Sequence, residues 1–244
     1  MIVVLASRFD VDAAGLVERW RNRGACLLTC EHLSRRGWIH DAAAPERSVA
    51  MLDRSAVPVR SIRGVVTRLS GVTPAELPHI AAEERAYVAC EMTAFLVAWL
   101  SSLPCRVLNR PTPLSLVGPS WRPEQWAREA TRAGLSAERV RRVARSFAED
   151  AGPTEIAPSS LFERPVISVT VVHTRCFGGP GDGPLDDAIV AGVRRLAGAA
   201  GVDLLTATFA PAAGRATFVG AAPWVDVARA DVADALVARI EAAS

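Results

Sequence analysis

Residues 2–29 read IVVLASRFDVDAAGLVERWRNRGACLLT, and this stretch indicates an α/β protein with a parallel sheet. The apolar, β-branched run at residues 2–5 is typical of a buried strand, and residues 26–29 form a second short apolar run. The segment between them has helical spacing and can be capped by Asp10 or Asp12. A strand, a helix and a strand at this spacing form a βαβ unit, which predicts parallel strands.

The remaining elements of the first half follow from the same patterns. A long apolar helical face favours a helix over residues 78–100, and a turn at residues 53–55 predicts a hairpin. The strands are expected at residues 49–52, 56–59, 64–68 and 106–108. A loop rich in proline is expected at residues 111–123, because proline ends regular structure.

The second half divides at a stretch rich in proline, serine and glycine, residues 151–165, which we expect to be a linker. Helices are expected at residues 124–134, 137–149, 185–198 and 231–242, strands at 166–173, 204–209 and 216–219, and a glycine-rich loop at 177–184. The strands at 204–209 and 216–219 should pair antiparallel, since a short turn joins them. The resulting division is 1–115, an α/β domain; 116–150, connecting helices; 151–165, a linker; and 166–244, a second domain.

The composition excludes several classes of function. The chain has 244 residues, 50% of them hydrophobic, and a formal net charge of +2, so no electrostatic case exists for a nucleic-acid or membrane partner. It contains no lysine, and all 28 basic residues are arginine. A P-loop and a Schiff-base enzyme both require lysine, so the sequence excludes these two chemistries.

The cysteines and the absence of targeting signals favour the cytoplasm. The five cysteines are odd in number and scattered, and no secretory signal or apolar stretch long enough to span a membrane is present. We therefore expect reduced thiols in a cytoplasmic protein.

Three blocks in the middle of the chain carry a resemblance to a known family. Residues 62–77 read IRGVVTRLSGVTPAEL, residues 83–116 read EERAYVACEMTAFLVAWLSSLPCRVLNRPTPLSL, and residues 121–135 read WRPEQWAREATRAGL. This ordered set resembles the pre-ATP-grasp domain and first helix of RimK-like and microviridin-type ATP-grasp ligases. The positions that match the family's pattern are Arg68, Glu91, Asn109 and residues 132–135.

The resemblance implies a fold in two parts. The fold class is α/β, with a parallel-sheet, Rossmann-like pre-ATP-grasp N-terminal domain and a truncated ATP-grasp-like C-terminal α+β domain. The C-terminal match is looser, and Asp203 stands at the position of a family metal ligand. Together the matches cover about two thirds of the chain.

The chain also departs from the family where the family binds ATP. The two phosphate-binding lysines are missing, with residues 120–122 at the first position, and about thirty residues between Leu135 and Val166 are too few for the lid subdomain. The Glu-x-Asn metal motif is missing as well, because no Asp, Glu or Asn lies between Arg215 and Trp224. One carboxylate cannot organise Mg²⁺ on a triphosphate in the family's way, so we expect ATP and Mg²⁺ to be lost and no cofactor to remain.

These departures predict a pseudoenzyme. The leading hypothesis is a non-catalytic binding or accessory protein in a biosynthetic pathway, which holds a peptide, a small carboxylate-bearing ligand or a partner enzyme. A surviving cleft would contain Arg68, Asn109, Arg122 and Asp203, since arginine binds carboxylates and phosphates bidentately. A homodimer is also expected, because domains of the resembled family often associate.

Two alternatives stay open. One is an enzyme, either a divergent ATP-grasp-derived ligase or a thiol-dependent enzyme acting on a carboxylate, with Cys30, His32 and Cys176 as catalytic candidates. Residues 26–32 have metal-like spacing, but no second pair of ligands accompanies them, so no metal site is expected. The other alternative is a purely structural subunit.

Overall fold

The computed structural model describes residues 1–53, 55–137, 167–178, 185–212 and 215–242. The strands in these ranges are β1 (Ile2–Ala6), β2 (Ala25–Leu28), β3 (Val49–Leu52), β4 (Ser55–Pro58), β5 (Gly64–Arg68), β6 (Arg106–Leu108), β7 (Ile167–Val172), β8 (Arg175–Gly178), β9 (Leu204–Ala212) and β10 (Arg215–Ala222). The helices are α1 (Val11–Arg19), α2 (Cys30–Leu33), α3 (Arg85–Ser102), α4 (Pro123–Arg132), α5 (Asp187–Ala200) and α6 (Ala230–Glu241). None of the helices in these ranges is both long and apolar enough to cross a bilayer.

The first sheet is parallel, as the βαβ pattern predicts. Its strand order is β2-β1-β5-β6, and β1 pairs in parallel with both β2 and β5. Asp10 caps α1, where its carboxylate accepts a hydrogen bond of 2.9 Å from the backbone N–H of Ala13. This confirms the cap position and the parallel α/β class of the N-terminal part.

Both faces of the first sheet are buried, which explains why its strands are apolar throughout. Val3, Leu5 and Val65 pack on one face against α3. Ile2 and Val4 pack on the other face against α1 and α6. Because α6 comes from the end of the chain, the C-terminal segment helps to complete the core of the N-terminal sheet.

The second sheet is antiparallel, with the order β10-β9-β7-β8, and has one apolar face and one polar face. The apolar face packs against α4 and α5, which contribute Trp126, Ala130, Val193 and Leu196 to a core of their own. Side chains alternate across a strand, so the opposite face presents the intervening residues toward the first sheet. This arrangement confirms an α/β fold with a parallel first sheet and a separate C-terminal sheet.

Several element predictions were wrong at their ends; β9 and β10, for example, run to Ala212 and Ala222 rather than to 209 and 219. The helix expected from residue 78 begins at Arg85, because the guanidinium of Arg85 bonds to the carbonyls of Ile80 and Pro78 at 2.9 and 3.1 Å and holds that segment as a turn. Phe177 and Gly178, expected to belong to a glycine-rich loop, are part of β8, and the rest of that expected loop lies outside the described residues. The expected linker at 151–165 lies outside the described residues, as does the expected helix at 137–149 apart from Ala137.

The contact between β5 and α6 gives a direct test of the shared core. A Cβ atom on Gly64 would lie 2.5 Å from Cγ2 of Ile240, which is fully buried, and 3.3 Å from the carbonyl oxygen of Arg106. We expect Gly64→Ala to lower the free energy of unfolding by about 1–3 kcal/mol, the usual cost of overpacking. Urea denaturation measures this change.

Two further variants control that experiment. Gly15→Ala, in α1 with nothing near the added Cβ, should raise stability by up to about 1 kcal/mol, since glycine is unfavourable within helices. In an Ile240→Ala background, Gly64→Ala should lower the free energy of unfolding by less, because the Cγ2 atom of Ile240 is absent. An unchanged cost in that background would contradict the proposed contact.

Candidate functional site

A cavity of about 540 Å³ lies between the carboxyl ends of β1 and β5 and the polar face of the second sheet. We call it the intersheet groove. It is lined by Asp12, Arg68, Ser168, Thr170, Thr206, Thr208, Gly220, Ala221, Ala222, Trp224, Asp226 and Arg229. Ligands of open α/β sheets bind beyond the carboxyl ends of the parallel strands, which makes this groove the candidate functional site.

The floor of the groove is built from hydroxyl groups and very small side chains. Ser168 and Thr170 on β7 stand directly opposite Thr208 and Thr206 on β9. The hydroxyls of Thr170 and Thr206 are 3.2 Å apart, and Thr206 donates a hydrogen bond of 2.6 Å to the carbonyl of Trp224. On β10 the facing positions are Gly220 and Ala222, so the floor on that side carries no polar side chain.

The side chain of Arg68 lines the groove and is held in place by several contacts. Its Nε and Nη2 donate to the Asp10 carboxylate at 2.8 and 3.3 Å, and its Nη1 donates to the carbonyl of Val225 at 3.0 Å. The guanidinium also lies 4.2 Å from the ring centroid of Trp224. The side chain is only 5% exposed, so Arg68 joins the two halves of the molecule and its charge is compensated by Asp10.

Asn109 fastens the first sheet to the second. Its Nδ2 donates to the carbonyls of Leu204 and Pro223 at 2.8 and 3.2 Å, while its Oδ1 accepts from the backbone N–H of Leu204 at 2.8 Å. The residue is buried and has a positive φ of 57°, a conformation that asparagine tolerates better than most residues. These three bonds use both ends of the Asn109 amide.

Asp203 and Arg122 lie away from the groove. Oδ1 of Asp203 accepts hydrogen bonds from Nε and Nη2 of Arg239 at 3.0 and 2.9 Å, and Nδ1 of His173 lies 3.3 Å away. Asp203 and Asn109 both line a second cavity beside β6. Arg122 is exposed at the beginning of α4 and lines a third, shallow cavity.

The four residues expected to share one cleft are therefore distributed over three cavities. Of these four, only Arg68 lines the intersheet groove. A ligand-binding role for Arg68, Asn109, Arg122 or Asp203 stays a prediction, and the contacts above assign the first two to holding the sheets together.

The described residues do not fit Mg²⁺-ATP bound in the manner that the resemblance implies. The strands under the groove present hydroxyls, glycine and alanine, and the carboxylate of Asp203 is occupied by Arg239. The two carboxylates that line the groove, Asp12 and Asp226, stand on α1 and on the loop before α6. No group of three His, Cys, Asp or Glu side chains suited to a metal ion occurs in the described ranges.

The candidate thiol chemistry is disfavoured at Cys30 and His32. Burial, together with the nearby charge of Glu76, raises the pKa of Cys30 to about 12, so the thiol stays protonated at neutral pH. Nδ1 of His32 lies 2.9 Å from the hydroxyl of Thr29 in a capping box. Burial and the neighbouring Arg35 lower the pKa of His32.

The third candidate thiol, Cys176, is half-buried on β8 opposite Val171.

The sequence reasoning missed the hydroxyl row on the groove floor. Ser168, Thr170, Thr206 and Thr208 occur at every second position of two strands, a period that places them on one face. The pattern was readable, but only the pairing of β7 with β9 brings the two pairs together. Trp224 and Arg229 follow the last strand and gave no signal of their own.

Neither a protein-family model nor a curated protein matches this sequence. Solved structures do resemble it. The macrocyclase MdnC from Microcystis aeruginosa MRC, bound with precursor peptide MdnA, superimposes with a TM-score of 0.69 at 10% identity, covering 98% of this chain and 99% of that one. The macrocyclase MdnB from the same organism gives a TM-score of 0.65 at 14% identity, covering 98% of each chain.

A third similar structure is the RiPP-associated ATP-grasp ligase of Chryseobacterium gregarium, in complex with ADP and a leader and core peptide. It has a TM-score of 0.68 at 10% identity and covers 99% of this chain and 96% of that one. These likenesses confirm the resemblance inferred from residues 62–135 at the level of the fold. The chain described here has the fold of the ATP-grasp ligases.

Proposed function

We propose that this protein is a non-catalytic member of the ATP-grasp fold that holds a peptide segment in the intersheet groove. The observation that carries the proposal is the floor of the groove. It offers hydroxyls from Ser168, Thr170, Thr206 and Thr208, but no carboxylate from the strands beneath it. Such a floor can bind a polar ligand by hydrogen bonds, but it offers Mg²⁺ no carboxylate of its own.

The chemistry of the groove suits a peptide. Serine and threonine hydroxyls both donate and accept hydrogen bonds, and therefore match the alternating N–H and C=O groups of a peptide backbone. Trp224 is 39% exposed at the rim and offers an apolar ring to a side chain. A volume of about 540 Å³ accommodates a few peptide residues. MdnC and the Chryseobacterium ligase were both solved with peptides bound, which supports a peptide as the ligand.

A small carboxylate-bearing molecule is the second candidate ligand. Arg68 and Arg229 line the groove, and arginine binds carboxylates through charge-assisted hydrogen bonds. Both arginines already contact carboxylates of the protein itself, Arg68 with Asp10 and Arg229 with Asp231. This prior pairing favours a peptide, whose recognition requires no additional free charge.

We also propose an accessory role in a biosynthetic pathway. The protein would present its bound peptide to a partner enzyme, as a homodimer located in the cytoplasm. Sedimentation equilibrium tests the dimer, since a mass equal to one chain would contradict it.

Gly220 allows the groove to be blocked without disturbing the fold. Nothing lies within 4 Å of a Cβ atom added at this position. Peptides selected from a random displayed library on the wild-type protein should bind Gly220→Leu at least about tenfold more weakly, because the leucine fills the cavity that the peptide would occupy. Isothermal titration calorimetry measures the affinities.

Gly198→Leu is the matched control. Gly198 is exposed on α5, lines none of the three cavities, and also has open space around an added Cβ. The selected peptides should bind Gly198→Leu like the wild type. Equal binding to Gly220→Leu and the wild type would refute the groove as the peptide site. Binding of succinate, but of no peptide, would favour the small carboxylate instead.

A further inference from the structure

A second cavity, of about 670 Å³, lies beside the edge strand β6 and is separate from the intersheet groove. Four arginines line it: Arg60, Arg63, Arg106 and Arg110. Gly201 and Asp203, from the turn before β9, line it from the second sheet. We call this cavity the arginine pocket.

The arginine pocket carries a positive charge that no carboxylate of the described residues pairs with directly. None of its four arginines forms an ion pair with a carboxylate in the described part of the chain. Asp203 is the one acidic residue among those that line the pocket, and Arg239 from α6 already holds its carboxylate at 2.9 Å. Like charges gathered around one cavity repel each other, so an anion in the pocket would relieve that repulsion.

Two of the arginines are held in place by neutral groups. Nη2 of Arg63 donates to the carbonyl of Arg23 at 2.6 Å. Arg110 donates to the carbonyls of Ser101 and Cys105 at 3.2 and 3.3 Å, at the carboxyl end of α3. The negative end of the helix dipole offsets part of the Arg110 charge. These bonds position the side chains, while the charge of Arg63 is left uncompensated.

Arg106 supplies an unsatisfied donor at the start of β6. The side chain is half-buried, and its Nε is inaccessible to solvent and has no hydrogen-bond acceptor among the described residues. A buried donor without a hydrogen-bond partner is destabilising. Arg106 therefore adds to the pocket lining a guanidinium that the protein itself leaves partly unsatisfied.

We infer that the arginine pocket binds a small polyanion that carries two or more phosphate or carboxylate groups. Planar guanidinium groups bind both kinds of anion bidentately, and several of them can engage a ligand with several anionic groups. The volume of about 670 Å³ suits a small molecule. A net charge of only +2 on the whole chain gives no support for a long nucleic acid.

The test uses pyrophosphate and citrate as probes, each titrated into the intact protein in magnesium-free buffer. We expect at least one of them to bind saturably by calorimetry and to raise the melting temperature, with weaker binding as the salt concentration rises. Stronger binding of pyrophosphate would indicate a phosphate ligand, and stronger binding of citrate a carboxylate ligand. The absence of binding by both would overturn the inference.

Three variants locate the binding. The double variant Arg60→Gln/Arg106→Gln should bind the anion at least about tenfold more weakly than the wild type. Arg60→Gln alone should lose a smaller part of the affinity, and because Arg60 is exposed, folding does not depend on it. Arg36→Gln removes an exposed arginine outside the pocket and should bind like the wild type. Unchanged affinity in both pocket variants, or an equal loss in Arg36→Gln, would overturn the inference.

Discussion

Replacing Arg68 with alanine should lower the free energy of unfolding by about 3–5 kcal/mol, the cost of leaving one partner of a buried ion pair alone. Arg68 is 5% exposed and Asp10 is 13% exposed, so water cannot solvate the remaining carboxylate fully. The substitution also removes the hydrogen bond to Val225 and the contact with the ring of Trp224. Urea denaturation followed by tryptophan fluorescence measures the loss.

Two comparisons distinguish this cost from a general effect of losing an arginine. The exposed pair Arg19 and Asp234 is 3.9 Å apart, and Arg19→Ala should cost less than about 1 kcal/mol. Asp10→Asn should recover part of the loss in the Arg68→Ala background, since it removes the unpaired charge and keeps an acceptor for the helix cap. A loss for Arg68→Ala no larger than that for Arg19→Ala would contradict the buried pair.

Replacing Asn109 with alanine should lower the free energy of unfolding by about 4 kcal/mol. Its three hydrogen bonds to Leu204 and Pro223 contribute about 1 kcal/mol each. A further penalty of about 1 kcal/mol comes from alanine at a φ of 57°. Urea denaturation followed by tryptophan fluorescence measures the total change in the free energy of unfolding.

Asn109→Gly separates the two contributions, because glycine adopts a positive φ without strain. It should be more stable than Asn109→Ala by about 1 kcal/mol and less stable than the wild type by about 3 kcal/mol. Asn109→Asp keeps the acceptor for the Leu204 N–H but places a carboxylate against two carbonyl oxygens, and should be nearly as damaging as alanine. Wild-type stability in Asn109→Asp would show that the two donated bonds contribute nothing.

Much of the fold could be predicted because its signals are local. The apolar runs at residues 2–5 and 26–29, with a capped helix between them, define a parallel unit by spacing alone. The packing of α6 on the first sheet could not be predicted, since it joins residues more than 170 positions apart, such as Gly64 and Ile240. Hydrophobic periodicity shows which face of α6 is buried, but not which sheet it covers.

The site was predicted less completely than the fold. Sequence reasoning selected Arg68 and Asn109 because they match the family's pattern, and the structure places both at the junction of the sheets. Residue type alone could not show that their hydrogen-bonding groups are already occupied by Asp10, Leu204 and other neighbours. Two other features depend on tertiary structure, which a linear sequence does not display. These are the pairing of β7 with β9, which forms the hydroxyl row, and the cluster of arginines beside β6.

The structure of the intersheet groove helps to interpret the absence of lysine. Arginine can replace lysine as a phosphate ligand, so the composition alone would leave ATP binding open. The described groove adds a second observation, because its floor presents hydroxyls and small side chains, and the strands beneath it offer no carboxylate to a metal ion. The proposal that the protein keeps the ATP-grasp fold without using Mg²⁺-ATP rests on these two observations.

The most direct test of this account is the melting temperature of the protein with ATP, measured with and without Mg²⁺. A nucleotide that binds the folded state must raise the melting temperature. We predict no rise that depends on Mg²⁺. A rise that Mg²⁺ weakens, and that Arg60→Gln/Arg106→Gln abolishes, would belong to the arginine pocket. A rise that requires Mg²⁺ would contradict the proposed loss of ATP-dependent function.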